Sequence, residues 1–283
     1  MAASDYSIQT TTMLNSVSPA RCEILGVRVS AIDMDQAVKL SDTHIQAGER
    51  GYICVTGVHR VMEAQSDPEF RSILNCSFIT TPDGMPTVWV GRLQGHSKMS
   101  RVYGPDYMLR MCELSIARGY SHFFYGGNDG VAQRLAETLT ARYPGLKIAG
   151  TYTPPFRALN ADEENKLINM VDASKPHFFW VGLSTPKQER FMAKYIDRLN
   201  VQIMIGVGAA FDIHTGGIAD APVWVKNSGL QWLHRLIQEP RRLGKRYLVN
   251  NPKFVWKIFL QLSGIRDFNT DNSINRPKVE TKN

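Results

Sequence analysis

Four polar residues stand where apolar runs of this chain come to an end. Thr56 closes "GYICVT", Asp83 follows "FITTP", Gln188 sits in "VGLSTPKQERF", and Asp212 ends "IGVGAAFD". Asp83 lies on a sharp turn beside Gly84 and between Pro82 and Pro86. Such a turn can be plain architecture, with the carboxylate capping a helix and glycine permitting the bend. It can also display the carboxylate at the carboxyl end of a sheet, where open α/β folds place their chemistry. Gln188 and Asp212 have equally plain readings as a helix cap and a strand-end turn. Parallel strands would bring all four ends to one edge, and that convergence is better explained by a site.

Two further patterns bear on ligands. "HFFYGGNDGVAQRLAETL" sets Gly126, Gly127 and Gly130 between a strand and a helix, where free backbone N–H groups favour a phosphate. A dinucleotide site would want an acid at the end of the next strand to hold the ribose. That strand, "LKIAGTYTPPF", ends without one. This disfavours a nicotinamide-dependent oxidoreductase and leaves a nucleotide diphosphate open. Asp33-Met34-Asp35 mimics a metal-holding D-x-D, but it precedes a short helix for which Ser30, Asp33 and Gln36 offer caps. Capping is the stronger reading, and no other cluster has metal spacing.

The elements that must position these groups alternate from about Cys22 to Gly217. Near-continuous apolar strands ("GYICVTGV", "FITT", "HFFYGG", "LKIAGTY", "HFFWVGLS", "VQIMIGVGAAFD") alternate with helix-like segments such as "HRVMEAQSDPEFRSIL" and "PKQERFMAKYIDRL". That pattern predicts an α/β fold: a Rossmann-like, mostly parallel sheet with helices on both faces. Beyond Pro222 only helical spacing remains, so a helical C-terminal appendage is expected over residues 223–268. Residues 1–21 read as a flexible arm without signal-peptide character, and the polar tail 269–283 as disordered. Cys22, Cys54, Cys76 and Cys112 form no C-x-x-C pair and read as small core residues of a reducing compartment. No run is long enough to span a bilayer as a helix.

Charge is local to the appendage. The chain carries a net +7, yet Trp224 to Arg266 holds nine basic residues and a single acid, Glu239, a net of +8. Basic residues alternate there with aromatic and aliphatic ones. Nucleic acid, an anionic membrane surface or an acidic substrate would suit this; large apolar faces favour the membrane interface over DNA. The plain alternative is a basic helical pair docked on the main domain.

Taken in order, "TPDGMP", "RVYGPD", "FFYGG", "YPGLKIAGTYTPPF", "VGLSTPKQE", "GVGAAFD", "GLQWLHRL" and "EPRRLGKRYL" resemble the WecG/TagA/CpsF family of bacterial glycosyltransferases. The resemblance runs from about Cys22 to Phe259. It implies inverting, metal-independent and cofactor-free transfer from a UDP-sugar to a polyprenyl-diphosphate-linked sugar. The place would be the inner face of the cytoplasmic membrane, in cell-surface polysaccharide synthesis. It implies Asp83 as catalytic base, with Thr56 and Arg101 beside it. Gln188 and Asp212 would serve the nucleotide sugar, and Arg235, Arg242 and Arg246 would reach back over the diphosphate. Gly126, Gly127 and Tyr152, from matching stretches, complete the expected substrate site. A homodimer is hinted at, and nucleic acid is not expected as a partner. Thr81-Pro82, His59 and Asp220 depart from the common pattern at positions expected to contact substrate. The rival reading is a non-catalytic basic module that binds membrane or nucleic acid through residues 224–266.

Overall fold

The computed structural model describes residues 18–268. The expected arm and tail therefore fall largely outside the described residues; the part of the arm that is described already enters a strand at Arg21. β1 (Arg21–Ile24) and β2 (Val27–Ser30) form a small antiparallel hairpin. The main sheet holds six strands: β3 (Gly51–Thr56), β4 (Ile79–Pro82), β5 (Ser121–Gly126), β6 (Lys147–Tyr152), β7 (Phe178–Gly182) and β8 (Ile203–Gly206). Their order is β4-β3-β8-β7-β5-β6, and every pairing is parallel. The expected α/β architecture is therefore present.

Strand periodicity builds two cores. Cys54, Phe123, Tyr125, Phe179, Val181 and Met204 point to one face of the sheet. Ile53, Val55, Phe124, Trp180, Ile203 and Ile205 point to the other. The first face is covered by α2 (Val58–Glu63), α3 (Pro68–Cys76), α7 (Ala161–Ser174) and α8 (Lys187–Tyr195). The second is covered by α1 (Met34–Gln46), α5 (Gly104–Arg118), α6 (Val131–Arg142) and the short α9 (Ala210–His214). With helices on both faces, the strands are apolar throughout rather than alternating, as a doubly covered parallel sheet requires. α4 (Met85–Leu93) follows the Asp83 turn.

Local chemistry changed two elements from their sequence expectation. "HRVMEAQSDPEFRSIL" divides into α2 and α3, because Asp67 caps the second helix, accepting from the Phe70 N–H, and Pro68 occupies its first turn. "VQIMIGVGAAFD" stops being strand at Gly206, and its last residues enter α9. Asp212 thus rides on a helical turn beyond β8 rather than on the strand end itself. Capping is what Asp33 does: it accepts from the Gln36 N–H while the Gln36 side chain accepts from its own N–H. Asp35 pairs with Arg110 at 2.8 Å.

The C-terminal helices are α10 (Val223–Asn227), α11 (Gln231–Gln238) and α12 (Pro240–Leu262), the last running through Pro252. The far half of α12 docks against the first face: Phe254 and Ile258 enter that core. The Gln261 side chain both accepts from Leu25 N–H (2.9 Å) and donates to the Glu23 carbonyl (2.8 Å). The near half extends over the carboxyl ends of the strands.

Candidate active site at the carboxyl edge of the sheet

β4, β3, β8 and β7 are consecutive in the sheet, so the segments after them meet at one edge. A cleft of about 1980 Å³ opens there. Single-ligand pockets run to roughly 300–1,000 Å³, so two substrates fit together. Asp83, Gly127, Asp212, Arg235, Arg242 and Arg246 all line it. Thr56, Arg101, Gly126, Tyr152 and Gln188 lie outside the lining.

Asp83 is held by its backbone. Its N–H donates to the Thr56 carbonyl at 3.0 Å, which continues the β3–β4 ladder by one rung. Gly57, on the adjacent strand end, faces it so closely that a Cβ there would come within 2.5 Å of the Asp83 carbonyl oxygen. Gly84 follows at φ 98°, which turns the chain into α4 and leaves the carboxylate facing the cleft. Burial raises the Asp83 pKa above the ordinary carboxylate value; Arg60, Arg101 and Arg235 oppose the rise. The side chain remains partly open to the cleft, but the surrounding protein removes enough water to disfavour its charge. A carboxylate of raised pKa among cations suits proton abstraction from a neutral hydroxyl.

The roof is cationic. Glu239, at the junction of α11 and α12, accepts from Arg235 (2.9 Å) and from Arg242 (2.5 Å), holding both guanidinium groups together. Those bonds pull the Glu239 pKa below its usual value, with Arg242 the main cause. Beneath them burial raises the Asp212 pKa, against the pull of Arg242, Arg235 and Arg134. Arg101 donates to Gln231 on α11 at 2.9 Å and lies 3.6 Å from Asp106, so it ties the roof to the sheet edge. Tyr103 donates to Asp220 at 3.1 Å, and Lys226 bridges Asp106 (3.3 Å) and Asp220.

Other sequence candidates make contacts within the protein. Thr56 is buried and its hydroxyl donates back to the Cys54 carbonyl at 3.2 Å. Gln188 is buried behind the cleft floor and donates to Glu189 at 3.0 Å. The Gly127 N–H is used on the Gly182 carbonyl at 3.0 Å rather than left for a phosphate. Gly126 is needed for strand contact: a Cβ there would lie 2.7 Å from the Gly182 oxygen. Tyr152 stacks on Tyr125 at 5.9 Å.

Sequence reasoning missed a group on the near side of the floor. Arg60, in the first turn of α2, lines the cleft and donates to the fully buried Glu189 at 2.6 Å. Its neighbour His59 also lines the cleft, with a buried Nδ1 that has no partner. Burial, then Arg246 and Arg60, push its pKa down to about 3, so the ring is neutral. On sequence alone, "HRVMEA" reads only as part of a helix-like segment, and nothing local marks Arg60 as facing a cleft.

Comparison with known proteins adds to this geometry. The family model described as "Glycosyl transferase WecG/TagA/CpsF family" matches residues 22–267. The chain belongs to that family. Two curated relatives are both N-acetylglucosaminyldiphosphoundecaprenol N-acetyl-beta-D-mannosaminyltransferases. The Bacillus spizizenii protein is 27% identical over 219 residues, covering 77% of this chain and 82% of the relative. That of Bacillus subtilis is 25% identical over 205 residues, covering 72% and 77%. This protein is a glycosyltransferase, and the reading as a non-catalytic module falls. This member of the WecG/TagA/CpsF family carries its cleft residues on segments that follow the strands: Asp83 after β4, Asp212 after β8, and the arginines on helices that follow the sheet.

Proposed function

We propose that this glycosyltransferase moves a sugar, with inversion, from a UDP-sugar to a sugar carried on a polyprenyl diphosphate. The observation that carries the proposal is Asp83, a desolvated carboxylate at the floor of a two-substrate cleft whose roof is built of arginines. The acceptor hydroxyl attacks the anomeric carbon of the donor and gives its proton to an Asp83 carboxylate oxygen. The bond from that carbon to the diphosphate oxygen breaks, and UDP departs with the electron pair. Attack from the face opposite the leaving group inverts the centre.

Arg235, Arg242 and Arg246 supply positive charge to the leaving diphosphate. Arginine suits this role because it stays charged and binds phosphate through two N–H groups. Metal independence belongs to this proposal, with cationic side chains taking the part a divalent ion plays elsewhere. Among the described residues no group of three or more His, Cys, Asp or Glu is placed to hold a metal ion. The relatives' names make an N-acetylated hexosamine the first donor to test, and an N-acetylglucosaminyl lipid the first acceptor.

The proposal divides the chain into a catalytic part through Pro222 and a basic helical appendage, Val223 to Phe268. The appendage sits on the inner membrane face. Trp224, Ile237, Leu248, Val255, Trp256 and Phe259 expose their side chains, interleaved with exposed Arg241, Lys245 and Lys253. That mixture suits an anionic lipid surface. Among the described residues no helix is long and apolar enough to cross a membrane.

The test is release of UDP from a panel of UDP-sugars, with a lipid-linked acceptor in detergent and with EDTA present or absent. Acceptor-dependent release that EDTA leaves intact is expected. Loss in EDTA with rescue by Mg²⁺ or Mn²⁺ overturns metal independence; no turnover on any UDP-sugar overturns the donor class.

A further inference from the structure

A fully buried carboxylate is costly unless it is paired, and Glu189 is buried behind the lining of this cleft, bonded to Arg60 that lines it. Its Oε1 accepts from Arg60 (2.6 Å), Gln188 (3.0 Å) and Thr185 (3.2 Å), while its Oε2 is buried with no partner. The pair joins two distant pieces of chain. Arg60 lies on α2, directly after the β3 end that cradles Asp83; Glu189 lies on α8, after β7. Gly57, which begins α2, touches the Asp83 backbone, and Arg60 follows three residues later with its side chain in the cleft. The Arg60 guanidinium is therefore bonded to one carboxylate and acts through its charge on a second, with which it shares the cleft lining. The fixed one is Glu189 and the one facing the cleft is Asp83.

We propose that Arg60 and Glu189 are positioning residues for the base: Arg60 keeps Asp83 ionised, and Glu189 holds Arg60 in place and draws off part of its field. The inference rests on Asp83 being the base.

Asp83 faces Arg60 from α2, Arg101 and Tyr103 from the segment before α5, Asp106 from α5, and Arg235 from α11. Arg60 provides the largest opposition to the rise that burial causes in Asp83. Arg101 and Arg235 have acidic partners of their own, in Asp106 and Glu239. Burial opposes the charge on Arg60 itself, yet Glu189 carries the balance and raises its pKa, so Arg60 stays protonated. A pair that served only to join α2 to α8 would need no position beside the cleft.

The geometry gives changes of opposite sign to two substitutions. In Glu189→Gln the amide oxygen still accepts from Arg60, but the negative charge is gone, and the whole field of Arg60 falls on Asp83. The acid limb of the kcat/KM profile then moves to lower pH. In Arg60→Gln the cation is gone and the limb moves to higher pH. Arg60→Lys restores the charge and brings the limb back toward wild type. Circular dichroism and thermal melting of the full-length variants report folding; if Arg60→Gln melts below the assay temperature, Glu189→Gln and Arg60→Lys carry the test.

An acid limb that stays in place in folded Glu189→Gln, or that moves to higher pH there, overturns the proposal. Turnover that drops equally at every pH assigns the pair a structural role only and also overturns it. Asp83→Asn is measured alongside. If it abolishes turnover while the limb of Glu189→Gln is unmoved, the positioning role fails and Asp83 stands as base. If Asp83→Asn keeps both turnover and limb, Asp83 is not the base and the positioning role falls with it.

Discussion

Replacing Asp83 by Asn should separate activity from stability, raising one while removing the other. The substitution keeps the shape of the side chain and its backbone contacts to Thr56 and Gly57. It removes the charge and the proton acceptor. Loss of a general base lowers rates by about 10²–10⁴-fold, or roughly 2.7–5.5 kcal/mol of transition-state stabilisation. Stability should move the other way. Burial raises the pKa of Asp83 in the folded state above its unfolded value. The folded chain therefore binds this proton more tightly than the unfolded chain. The contribution is favourable below the unfolded value and is lost as pH rises through the folded one, so at neutral pH the ionised group costs stability. Its neighbours are not orphaned by the change, because Arg60 keeps Glu189, Arg101 keeps Asp106 and Gln231, and Arg235 keeps Glu239. Asp83→Asn should accordingly melt at a higher temperature than wild type at pH 7 to 8, with the gain vanishing toward pH 4. Steady-state UDP release and differential scanning calorimetry across pH read the two quantities. Near-normal turnover in a folded variant refutes the base. A variant that melts lower than wild type at neutral pH refutes the account of its burial.

Three further outcomes follow from the same geometry. Gly57→Ala presses a methyl group against the Asp83 carbonyl, so it should cost about 1–3 kcal/mol in thermal or denaturant unfolding and lower kcat as the base is displaced; wild-type values in both would show that the turn is slack. Arg242→Ala should lower kcat by about 10²-fold while liposome sedimentation barely changes, since its exposed pair with Glu239 contributes little to folding; unchanged kcat would remove Arg242 from the diphosphate site. Trp224→Asp with Phe259→Asp, both exposed and outside the cleft lining, should weaken sedimentation with anionic liposomes by tenfold or more, at about 1.5–3 kcal/mol per buried side chain, and leave turnover on a water-soluble acceptor intact; undiminished sedimentation would place the lipid contact elsewhere.

Much of the architecture was legible in the order of residues. Six apolar runs separated by amphipathic segments specify a doubly covered parallel sheet, because a strand with helices on both sides has no wet face to mark with polar residues. A parallel sheet puts all its carboxyl ends on one edge, so Thr56, Asp83, Gln188 and Asp212 could be grouped before any coordinate was known. The change to helical spacing after Pro222 and the charge gathered there were equally local signals. What tertiary structure alone decided was which of these groups face the cleft. Strand order is a non-local property: β8 enters between β3 and β7, and this sets Glu189 against Arg60, 129 residues away in sequence. Periodicity assigns a residue to a face of its own element, not to a partner on another, so nothing in it singles out Arg60, while Gln188 reads as a strand-end polar group that the resemblance links to the nucleotide sugar. In the fold Arg60 reaches the cleft, while the short turn after β7 buries Gln188 outside its lining. The near half of α12 likewise reaches the cleft only because Phe254, Ile258 and Gln261 anchor the far half on the hairpin side of the sheet, a contact between the two ends of the chain.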